Sequence, residues 1–445
     1  MHCDFLTAAF AERSDTDAVI WNDHAVSYAA LNALIERWSN ELDARDVRTG
    51  TIAVLDATYS PNAVALFIAL VDRGCIVVPL TSLPASEYAQ VVEIAQAEVI
   101  IRCDANDNVS FERSQRQADH ELYQRLRDES GPGLVIFTSG STGQAKGAVH
   151  DMRPMLRLYR SPRRPLRTIA FLLFDHIGGV NTLFYTLASG GCLITPGDHS
   201  PEVVLASVAR HRAELLPVTP TFINLMLLSE AYRAHDLSSL KVLSYGTEPM
   251  PEDTLKRLHA LLPHIRLVQK YGMSEFGIVE SKSPASDSLW LKLGGENLQT
   301  RVVDGVLHIK TTTAMLGYLN APSPFVEDGW LNTGDRVEVD GDRFRILGRD
   351  SETINVGGEK VSPVEIEEVI QQMSNVAEVT VYGERNPIMG QIVCARIRPK
   401  DPEAPAELIK RLKAFCSERL KPYKVPVRVE VVDESRHSRR FKKLK

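Results

Sequence analysis

A short run of glycines and hydroxyl side chains follows an apolar segment in the first third of the chain. The segment Leu134–Thr138 predicts a buried strand, and the run after it reads Ser-Gly-Ser-Thr-Gly-Gln-Ala-Lys-Gly. Glycines let a backbone approach a phosphate chain closely, and hydroxyl groups add hydrogen-bond donors. The run is not a Walker A loop, because Lys146 is followed by Gly147 and not by Ser or Thr. Surface loops are also rich in such residues, but the position directly after a strand favours phosphate binding.

The elements that would hold this loop alternate between helical and strand-like patterns. Helical spacing covers Ser27–Leu42 and Asn62–Asp72, while Thr51–Leu55 and Cys75–Leu80 are short apolar strands. Such alternation indicates βαβ units and a parallel sheet. The polar, weakly patterned stretch from 104 to 133 predicts a loop and a helix on the surface.

From residue 304 the sequence pattern changes to short predicted strands separated by turns that contain Gly and Asp. Beyond Arg349 the pattern predicts two helices and three strands, at 363–373, 378–382, 392–397, 406–420 and 427–432. We therefore expect an α/β fold with a large layered N-terminal domain, residues 1–349. A small α+β domain, residues 350–445, would follow it.

Composition narrows the class of protein. The 445 residues carry a net charge of −6, which argues against a general nucleic-acid binder. The six cysteines are scattered singly, which suits neither a zinc site nor a disulfide framework. The N-terminus does not read as a secretory signal, and no apolar run reaches the roughly 18 residues of a membrane span. These features predict a cytoplasmic enzyme with no membrane span and no nucleic-acid partner.

Further motifs occur in a fixed order, and together with the loop they resemble the acyl-adenylate-forming superfamily. Its members include acyl- and aryl-CoA synthetases, adenylation domains of peptide synthetases, and luciferases. The resemblance covers essentially the whole chain. The matching segments are 26–31 (VSYAAL), 138–147 (TSGSTGQAKG), 271–275 (YGMSE), 316–320 (LGYLN), 328–335 (DGWLNTGD), 348–350 (GRD) and 355–367 (NVGGEKVSPVEIE).

The resemblance implies roles for the residues of the phosphate loop and for one acid. Ser139, Ser141 and Thr142 would hold the β- and γ-phosphates of ATP, with Thr142 also a catalytic residue. The remaining loop positions that would bind ATP are Thr138, Gly140, Gly143 and Lys146. A salt bridge within the loop is an equal alternative for Lys146. Glu275 would be catalytic by holding Mg²⁺, a hard ion that prefers carboxylate and phosphate oxygens, although outside this family it would read as a surface acid.

The nucleoside would be bound by three other segments. The resemblance implies that Thr247 and Tyr271 bracket the adenine and that Ser274 approaches the α-phosphate. Gly246, Glu248 and Gly272 belong to the same segments. Asp335 would accept hydrogen bonds from the ribose hydroxyls and Arg349 would donate to them, although Asp335 could merely end the turn after Gly334.

A catalytic lysine is expected near the C-terminus, where this chain departs from the family pattern. Alignment from Val429 places that lysine at Lys442, but the glycine before it in the family is Phe441 here. Glycine tolerates positive φ and Phe rarely does, so the loop could differ in shape. Lys443 is a substitute, and a solvated basic tail is the alternative interpretation.

The second half-reaction would deliver a thiol to the adenylate. The resemblance implies a small domain that swings about a hinge at Asp350. Gly357, Gly358 and Lys360 would then line a tunnel for a pantetheine arm. The acceptor would be coenzyme A or the phosphopantetheine of an acidic carrier protein. The dense basic tail, with Arg436, Arg439, Arg440, Lys443 and Lys445, favours the carrier.

The acid pocket can be read in two registers. Phe174-Asp175 resembles amino-acid adenylation domains, in which the Asp pairs with an α-amino group. His176-Ile177-Gly178-Gly179 resembles acyl- and aryl-CoA ligases, in which the His lines the pocket; a structural histidine is the alternative. We favour His176, with Gly178 and Gly179 leaving room for substrate and Met273 also at the pocket. This register predicts an aryl or fatty acid.

The sequence thus predicts an ATP- and Mg²⁺-dependent ligase that adenylates a small carboxylic acid and passes the acyl group to a thiol. Alternatives within the enzyme class are a stand-alone amino-acid-adenylating enzyme and transfer to a non-thiol nucleophile. A regulatory ATP-binding protein with a decayed site belongs to another class, and the intact Glu275, Asp335 and Arg349 argue against it.

Overall fold

The computed structural model describes residues 2–139, 145–161, 163–295 and 298–433. Helices in these ranges are numbered in chain order. They are α1 (Asp4–Ala11), α2 (Tyr28–Ala44), α3 (Pro61–Asp72), α4 (Ala85–Ile94), α5 (Glu121–Asp128), α6 (Met152–Tyr159), α7 (Ile177–Ala188), α8 (Pro201–His211), α9 (Pro220–Ser229), α10 (Glu252–Leu261), α11 (Pro363–Gln371) and α12 (Pro405–Arg419).

Strands are numbered in the same way. They are β1 (Asp17–Trp21), β2 (His24–Ser27), β3 (Ile52–Asp56), β4 (Ile76–Leu80), β5 (Val99–Cys103), β6 (Val109–Arg113), β7 (Gly133–Ser139), β8 (Ala145–Asp151), β9 (Arg167–Ile169), β10 (Cys192–Ile194), β11 (Leu215–Val218), β12 (Val242–Tyr245), β13 (Arg266–Gln269), β14 (Tyr271–Met273), β15 (Gly277–Lys282), β16 (Lys292–Gly294), β17 (Gln299–Val303), β18 (Val306–Lys310), β19 (Gly317–Tyr318), β20 (Leu331–Asp340), β21 (Arg343–Arg349), β22 (Ile354–Val356), β23 (Glu359–Val361), β24 (Val376–Asn386), β25 (Gly390–Pro399) and β26 (Arg428–Val431).

Two seven-stranded sheets form the larger part of the molecule. Their strand orders are β13-β12-β11-β9-β10-β1-β2 and β19-β8-β7-β4-β3-β5-β6. In the first sheet every neighbouring pair except β1 and β2 is parallel. In the second sheet the inner strands β7, β4, β3 and β5 are parallel, as the alternation of helices and strands predicts, whereas β19, β8 and β6 are joined by antiparallel pairs. The main hydrophobic core contains buried residues of α2, α3 and α7 together with residues from both sheets. The layered α/β fold is therefore confirmed.

Helix α3 shows why the helices take these positions. Its first residue is Pro61, and the side chain of Ser60 accepts a hydrogen bond from the backbone N–H of Ala63 at 3.2 Å, which caps the first turn. Nearly every later residue is apolar and buried. A helix that is apolar on all faces is stable only inside a core, and α3 is accordingly packed within it.

Two smaller sheets position the site. β14, β15 and β16 form an antiparallel sheet, and β17, β18, β20 and β21 form another in the order β17-β18-β20-β21. A separate core of residues 271–344 joins the two sheets. This arrangement brings the start of β14 next to the middle of β20.

The C-terminal part has a sheet and a core of its own. β23-β22-β25-β24 are joined in that order, β26 pairs in parallel with β25, and α11 and α12 complete the unit. Its buried apolar cluster runs from Ile354 to Cys416. Arg349 ends β21 and a short 3₁₀ turn, Asp350–Glu352, follows it. The division of the chain at this point stays an interpretation of ours.

One region differs from the sequence prediction. The stretch from 104 to 133 holds not only helix α5 but also strand β6, which pairs antiparallel with β5 at the edge of its sheet. β6 alternates apolar and polar residues in its sequence VSFER, but it has only five residues and none of them is fully buried, so the pattern is too short to mark a strand within a polar stretch. Among the helices of the described ranges, none has the length and apolar character needed to cross a membrane.

Candidate active site

A cavity of about 1650 Å³ brings together residues from most of the predicted motifs. Its walls include Thr138 and Lys146 from the β7–β8 hairpin, His176 before α7, and Thr247 after β12. Met273, Ser274 and Glu275 come from the end of β14, and Arg349 from the end of β21. Residues that lie far apart in the sequence therefore surround one space, large enough for a nucleotide and an acid together.

Glu275 lies at the phosphate-loop side of this cavity. The hydroxyl of Tyr318 donates to a carboxylate oxygen of Glu275 at 2.6 Å. Burial, and then the negative charge of Glu275, raise the pKa of Tyr318, which keeps that hydroxyl a donor. The ammonium of Lys146 lies 5.6 Å from the centre of the Tyr318 ring. Lys146 is paired with Thr138 across the β7–β8 hairpin. The ammonium of Lys146 and the carboxylate of Glu275 therefore both lie close to Tyr318.

Asp335 lies in β20 and holds a second cluster together. The hydroxyl of Tyr271 donates to one carboxylate oxygen at 2.6 Å, and Nε of Arg349 lies 2.9 Å from the other. Asp335 is buried, and burial raises its pKa although Arg349 and the Tyr271 hydroxyl oppose that rise. Nη1 of Arg349 also donates to the carbonyl of Thr333. Arg349 lines the cavity, whereas Asp335 and Tyr271 are buried and are not among its described lining residues. The pair predicted to bind ribose is thus joined to the tyrosine predicted to contact adenine.

The segment after β12 has an unusual backbone. Thr247 has φ of +74°, which is strained for a β-branched residue and marks a place where surroundings dictate the backbone. Gly246 is required by packing, because a Cβ there would lie 2.6 Å from the carbonyl oxygen of Lys270.

Glu248, from the same segment, is placed differently from the prediction. Its carboxylate accepts from the backbone N–H and the hydroxyl of Thr221, in the first turn of α9. It is not among the described residues that line the cavity. A carboxylate at a helix N-terminus stabilises that terminus, so Glu248 has a structural role at the start of α9.

Close backbone contacts fix the position of the segment from Gly272 to Ser274. A Cβ at Gly272 would lie 2.5 Å from the carbonyl oxygen of Gly277, so the tight turn into β15 requires glycine. The carbonyl of Ser274 lies 2.6 Å from Nε2 of the buried His150. The motifs did not point to His150, because nothing near it in the sequence signals the contact.

The acid end of the cavity lies against α7. His176 precedes the helix, and its Nδ1 accepts from the backbone N–H of Gly178 at 3.0 Å. His176 and Gly178 line the cavity, whereas Asp175 is buried and is not among the described lining residues. Of the two candidate residues, His176 is therefore the one that the structure places at the cavity wall.

Gly179, which was predicted to leave room for the substrate, makes a close backbone contact in the structure. It does not line the described wall of the cavity, and a Cβ there would lie 1.8 Å from the carbonyl oxygen of Leu173. Close approach of the Leu173 backbone therefore gives a structural reason for this glycine, and its role at the pocket stays a prediction. The sequence motif identified the position but could not distinguish the two reasons.

The predicted thiol-tunnel residues lie away from the cavity. Gly357 and Gly358 form the turn between β22 and β23 with φ of +60° and +94°, values that favour glycine. They and Lys360 are exposed, and none of them is in the described wall. Asp350 accepts a hydrogen bond from Arg336 at 2.8 Å.

Several predicted residues lie outside what the structure describes. These are Gly140, Ser141, Thr142, Gly143 and Lys442, together with the side chain of Ser139. In the described ranges, no group of three or more His, Cys, Asp or Glu residues is arranged to hold a metal ion.

Two family models match the chain, one for each part of it. The family model for the AMP-binding enzyme matches residues 6–319, and the model for the AMP-binding enzyme C-terminal domain matches residues 365–442. A feruloyl-CoA synthase of Amycolatopsis is 27% identical over 92% of this chain and 90% of its own length.

Solved structures show the same fold. An anthranilate CoA ligase in complex with anthranoyl-AMP superposes with a TM-score of 0.82 at 22% identity, covering 98% of this chain and 94% of the other. An amide bond synthetase from Marinactinospora thermotolerans gives a TM-score of 0.81 at 21% identity, covering 99% and 97%. At such identities the likeness establishes the fold alone.

The two family models match in order and together span most of the chain. Their match confirms the predicted superfamily and shows that the protein is an enzyme. The chain belongs to the family of AMP-binding enzymes.

Proposed function

We propose that the protein is an AMP-forming acid–thiol ligase that uses ATP to activate a small carboxylic acid and transfers the acyl group to coenzyme A. The observation that carries the proposal is the cavity whose wall holds Glu275, His176 and Arg349, the last of which is paired with Asp335. A nucleotide and an acid bound there would meet beside Ser274.

ATP would be bound through the clusters described above. Asp335 accepts from the ribose hydroxyls and Arg349 donates to them, and their mutual ion pair fixes both in advance. Tyr271 and Thr247 flank the adenine. Lys146 adds positive charge near the phosphates, where Thr138, Ser139, Gly140, Ser141, Thr142 and Gly143 supply hydroxyl and backbone donors.

The residues present fit a magnesium ion. Mg²⁺ in nucleotide sites takes one or two protein carboxylates together with phosphate oxygens and water. Glu275 supplies one carboxylate on the cavity wall, oriented by the Tyr318 hydroxyl. When bound, the ion would neutralise charge on the phosphates.

The chemistry follows from where negative charge develops. A carboxylate oxygen of the acid bonds to the α-phosphorus of ATP, and the bond to pyrophosphate breaks. Lys442 would stabilise this charge as a preplaced cation. The thiolate sulfur of the acceptor then bonds to the acyl carbon, and AMP leaves with the bonding electrons.

Coenzyme A is the acceptor we favour, with a carrier protein as the alternative. The basic tail that favours a carrier lies outside the described residues. The matched relatives, by contrast, carry the names of CoA ligases and synthetases. Transfer to the thiol also requires the C-terminal unit to rotate about Asp350, since the Gly357–Gly358 turn does not line the cavity as it stands.

The acid is proposed to enter beside His176 and to carry no α-amino group. His176 lines the cavity and Asp175 does not. An α-amino group would therefore lack the carboxylate partner that the other register supplies. Relatives with names such as feruloyl-CoA synthase and indoleacetate–CoA ligase make an aryl acid the first class to test. We place the reaction in the cytoplasm.

Product analysis tests the acceptor and the acid together. The enzyme is incubated with ATP, Mg²⁺ and a panel of aryl, fatty and amino acids. Each mixture receives coenzyme A, a phosphopantetheinylated carrier protein or a simple amine, and the acyl products are identified by mass spectrometry. We expect acyl-CoA and AMP. If only acylated carrier or only amide is formed, coenzyme A is not the acceptor, but the proposal that the acid is adenylated still holds.

A further inference from the structure

Lys270 lies on the wall of the cavity at the junction of β13 and β14. Its backbone N–H donates to the carbonyl of Tyr245 at 2.7 Å, so the position of the residue is fixed by the sheet. The side chain is half-buried, and no carboxylate of the described residues lies within ion-pair distance of its ammonium. A lysine in this situation has given up hydration without gaining a partner, which is costly unless a ligand supplies one.

The charges around Lys270 do not compensate it. Burial lowers the pKa of Lys270, and the cations Arg163 and Arg266 lower it further, while Glu280 opposes them. Glu280 is itself engaged, since Arg163 Nη2 donates to it at 2.9 Å. Three cations and one paired carboxylate therefore leave this part of the cavity positive.

A neutral donor belongs to the same region. The hydroxyl of Tyr185, on the cavity face of α7, is buried and has no hydrogen-bond partner among the described residues. The guanidinium of Arg163 lies 4.9 Å from the centre of the Tyr185 ring, which ties this side chain to the cluster around Lys270. A buried hydroxyl without a partner is rare, and a ligand oxygen would satisfy it.

We propose that the acid activated by this enzyme carries a second anionic group, such as a second carboxylate, which binds Lys270 with the help of the Tyr185 hydroxyl. The inference rests on the proposed function, because it names the substrate class of that site. It also narrows that class, since a plain benzoate or fatty acid would leave Lys270 unpaired. The first carboxylate reacts at Ser274, and the second fixes the far end of the molecule.

Matched pairs of acids test the inference. Aromatic and aliphatic dicarboxylic acids of increasing length are compared with their monomethyl esters in acid-dependent exchange of labelled pyrophosphate into ATP. We expect the diacid of the best-fitting length to exceed its monoester in kcat/KM by about tenfold or more, the range for one hydrogen bond to a charged group.

Three variants assign the effect. Lys270→Met should remove the diacid preference and leave exchange with the monoester, whereas Lys270→Arg should retain it. Lys292→Met, which alters an exposed lysine paired with Asp342, is the matched control and should behave as the wild type. If Lys270→Met is inactive with every acid, the inference is tested by Lys270→Arg, which should still prefer the diacid to its monoester. Loss of that preference in Lys270→Arg would contradict the inference.

The pH dependence gives an independent readout. A lysine with a lowered pKa loses its charge earlier as pH rises, so the wild-type preference should fall at a lower pH than an ordinary lysine would give. Lys270→Arg should keep its preference, because arginine stays protonated. Equal or better exchange with monoesters in the wild type overturns the inference, whereas exchange with no acid at all overturns the proposed function instead.

Discussion

At the scale of single residues, the site is organised by hydrogen bonds between side chains that no local motif connects. Tyr318 reaches Glu275 and Tyr271 reaches Asp335, across 43 and 64 residues of sequence. Each tyrosine holds a carboxylate in one orientation before any ligand binds. Charge-assisted hydrogen bonds of this kind are among the stronger ones in proteins, and preorganisation lowers the cost of binding.

Removal of the Tyr318 hydroxyl should weaken the proposed metal site without abolishing it. In Tyr318→Phe, Glu275 keeps its charge but loses the donor that orients it. We expect a rise of about tenfold in the Mg²⁺ concentration that gives half-maximal pyrophosphate exchange, the size expected for one charge-assisted hydrogen bond. Tyr232→Phe, at a surface tyrosine, is the control. An unchanged Mg²⁺ requirement in Tyr318→Phe would argue that Glu275 does not hold the ion.

His150 should make stability depend on pH. It is fully buried, and burial lowers its pKa to about 4 from an ordinary value of 6.5. Below pH 6.5, His150 is protonated in the unfolded chain but stays neutral in the folded protein. The free energy of unfolding therefore falls as the pH drops. The loss from this group is about 3 kcal/mol at pH 4. Urea unfolding of the wild type and His150→Gln at pH 7 and pH 4 measures it, and equal losses in both proteins would contradict the assignment.

At the scale of elements, short strands and one helix place the reacting groups. Ser274 and Glu275 directly follow β14, and β20 and β21 carry Asp335 and Arg349. α7 begins directly after His176 and presents Asn181, Thr182 and Tyr185 to the same cavity. The site therefore depends on how closely α7 approaches the preceding loop.

That approach predicts a large effect at Gly179. In Gly179→Ala, the new methyl group would overlap the Leu173 carbonyl, so α7 or the loop must move. We expect a loss of about 1–3 kcal/mol or more in the free energy of unfolding, together with a higher KM for the acid. Gly197→Ala is the matched control, because a Cβ there meets no atom within 4 Å. Comparable stability of the two variants would show that the helix tolerates the displacement.

Sequence patterns recovered the elements with strong periodicity and missed what depends on tertiary contact. Helix α2 begins one residue after the predicted Ser27, which caps it, and β3 and β4 differ from prediction by a residue at their ends. The short strand β6 was missed because its five-residue alternation is too brief to identify a strand without its pairing with β5. The motifs indicated Glu275 and Asp335. They did not indicate Lys270 or His150, because the burial and contacts of these two residues arise only when distant parts of the chain pack together.

At the scale of the whole molecule, the C-terminal unit packs its own core and meets the rest through polar contacts such as Asn224 Nδ2 to the Ala377 carbonyl at 3.2 Å. Interfaces of this kind permit relative motion. We propose that Lys442 and the Gly357–Gly358 turn act in different placements of this unit, one for each half-reaction.

Substitution of the proposed lysine separates those half-reactions. Lys442→Ala should lower adenylate formation about 10²–10³-fold, the range for loss of one preplaced donor to a developing oxyanion. Thioester formation from a chemically prepared acyl-adenylate should continue. Lys443→Ala is the matched control. If Lys443→Ala is the damaging change and Lys442→Ala is silent, the alignment across Phe441 is off by one position.

The central claim is that this enzyme activates a carboxylic acid by adenylation, and the most direct measurement is the fate of ATP. With a panel of acids that includes diacids, labelled pyrophosphate should exchange into ATP only when an acid and Mg²⁺ are both present. Turnover with coenzyme A should release AMP and pyrophosphate in equal amounts. Release of ADP and phosphate in place of AMP would contradict the account.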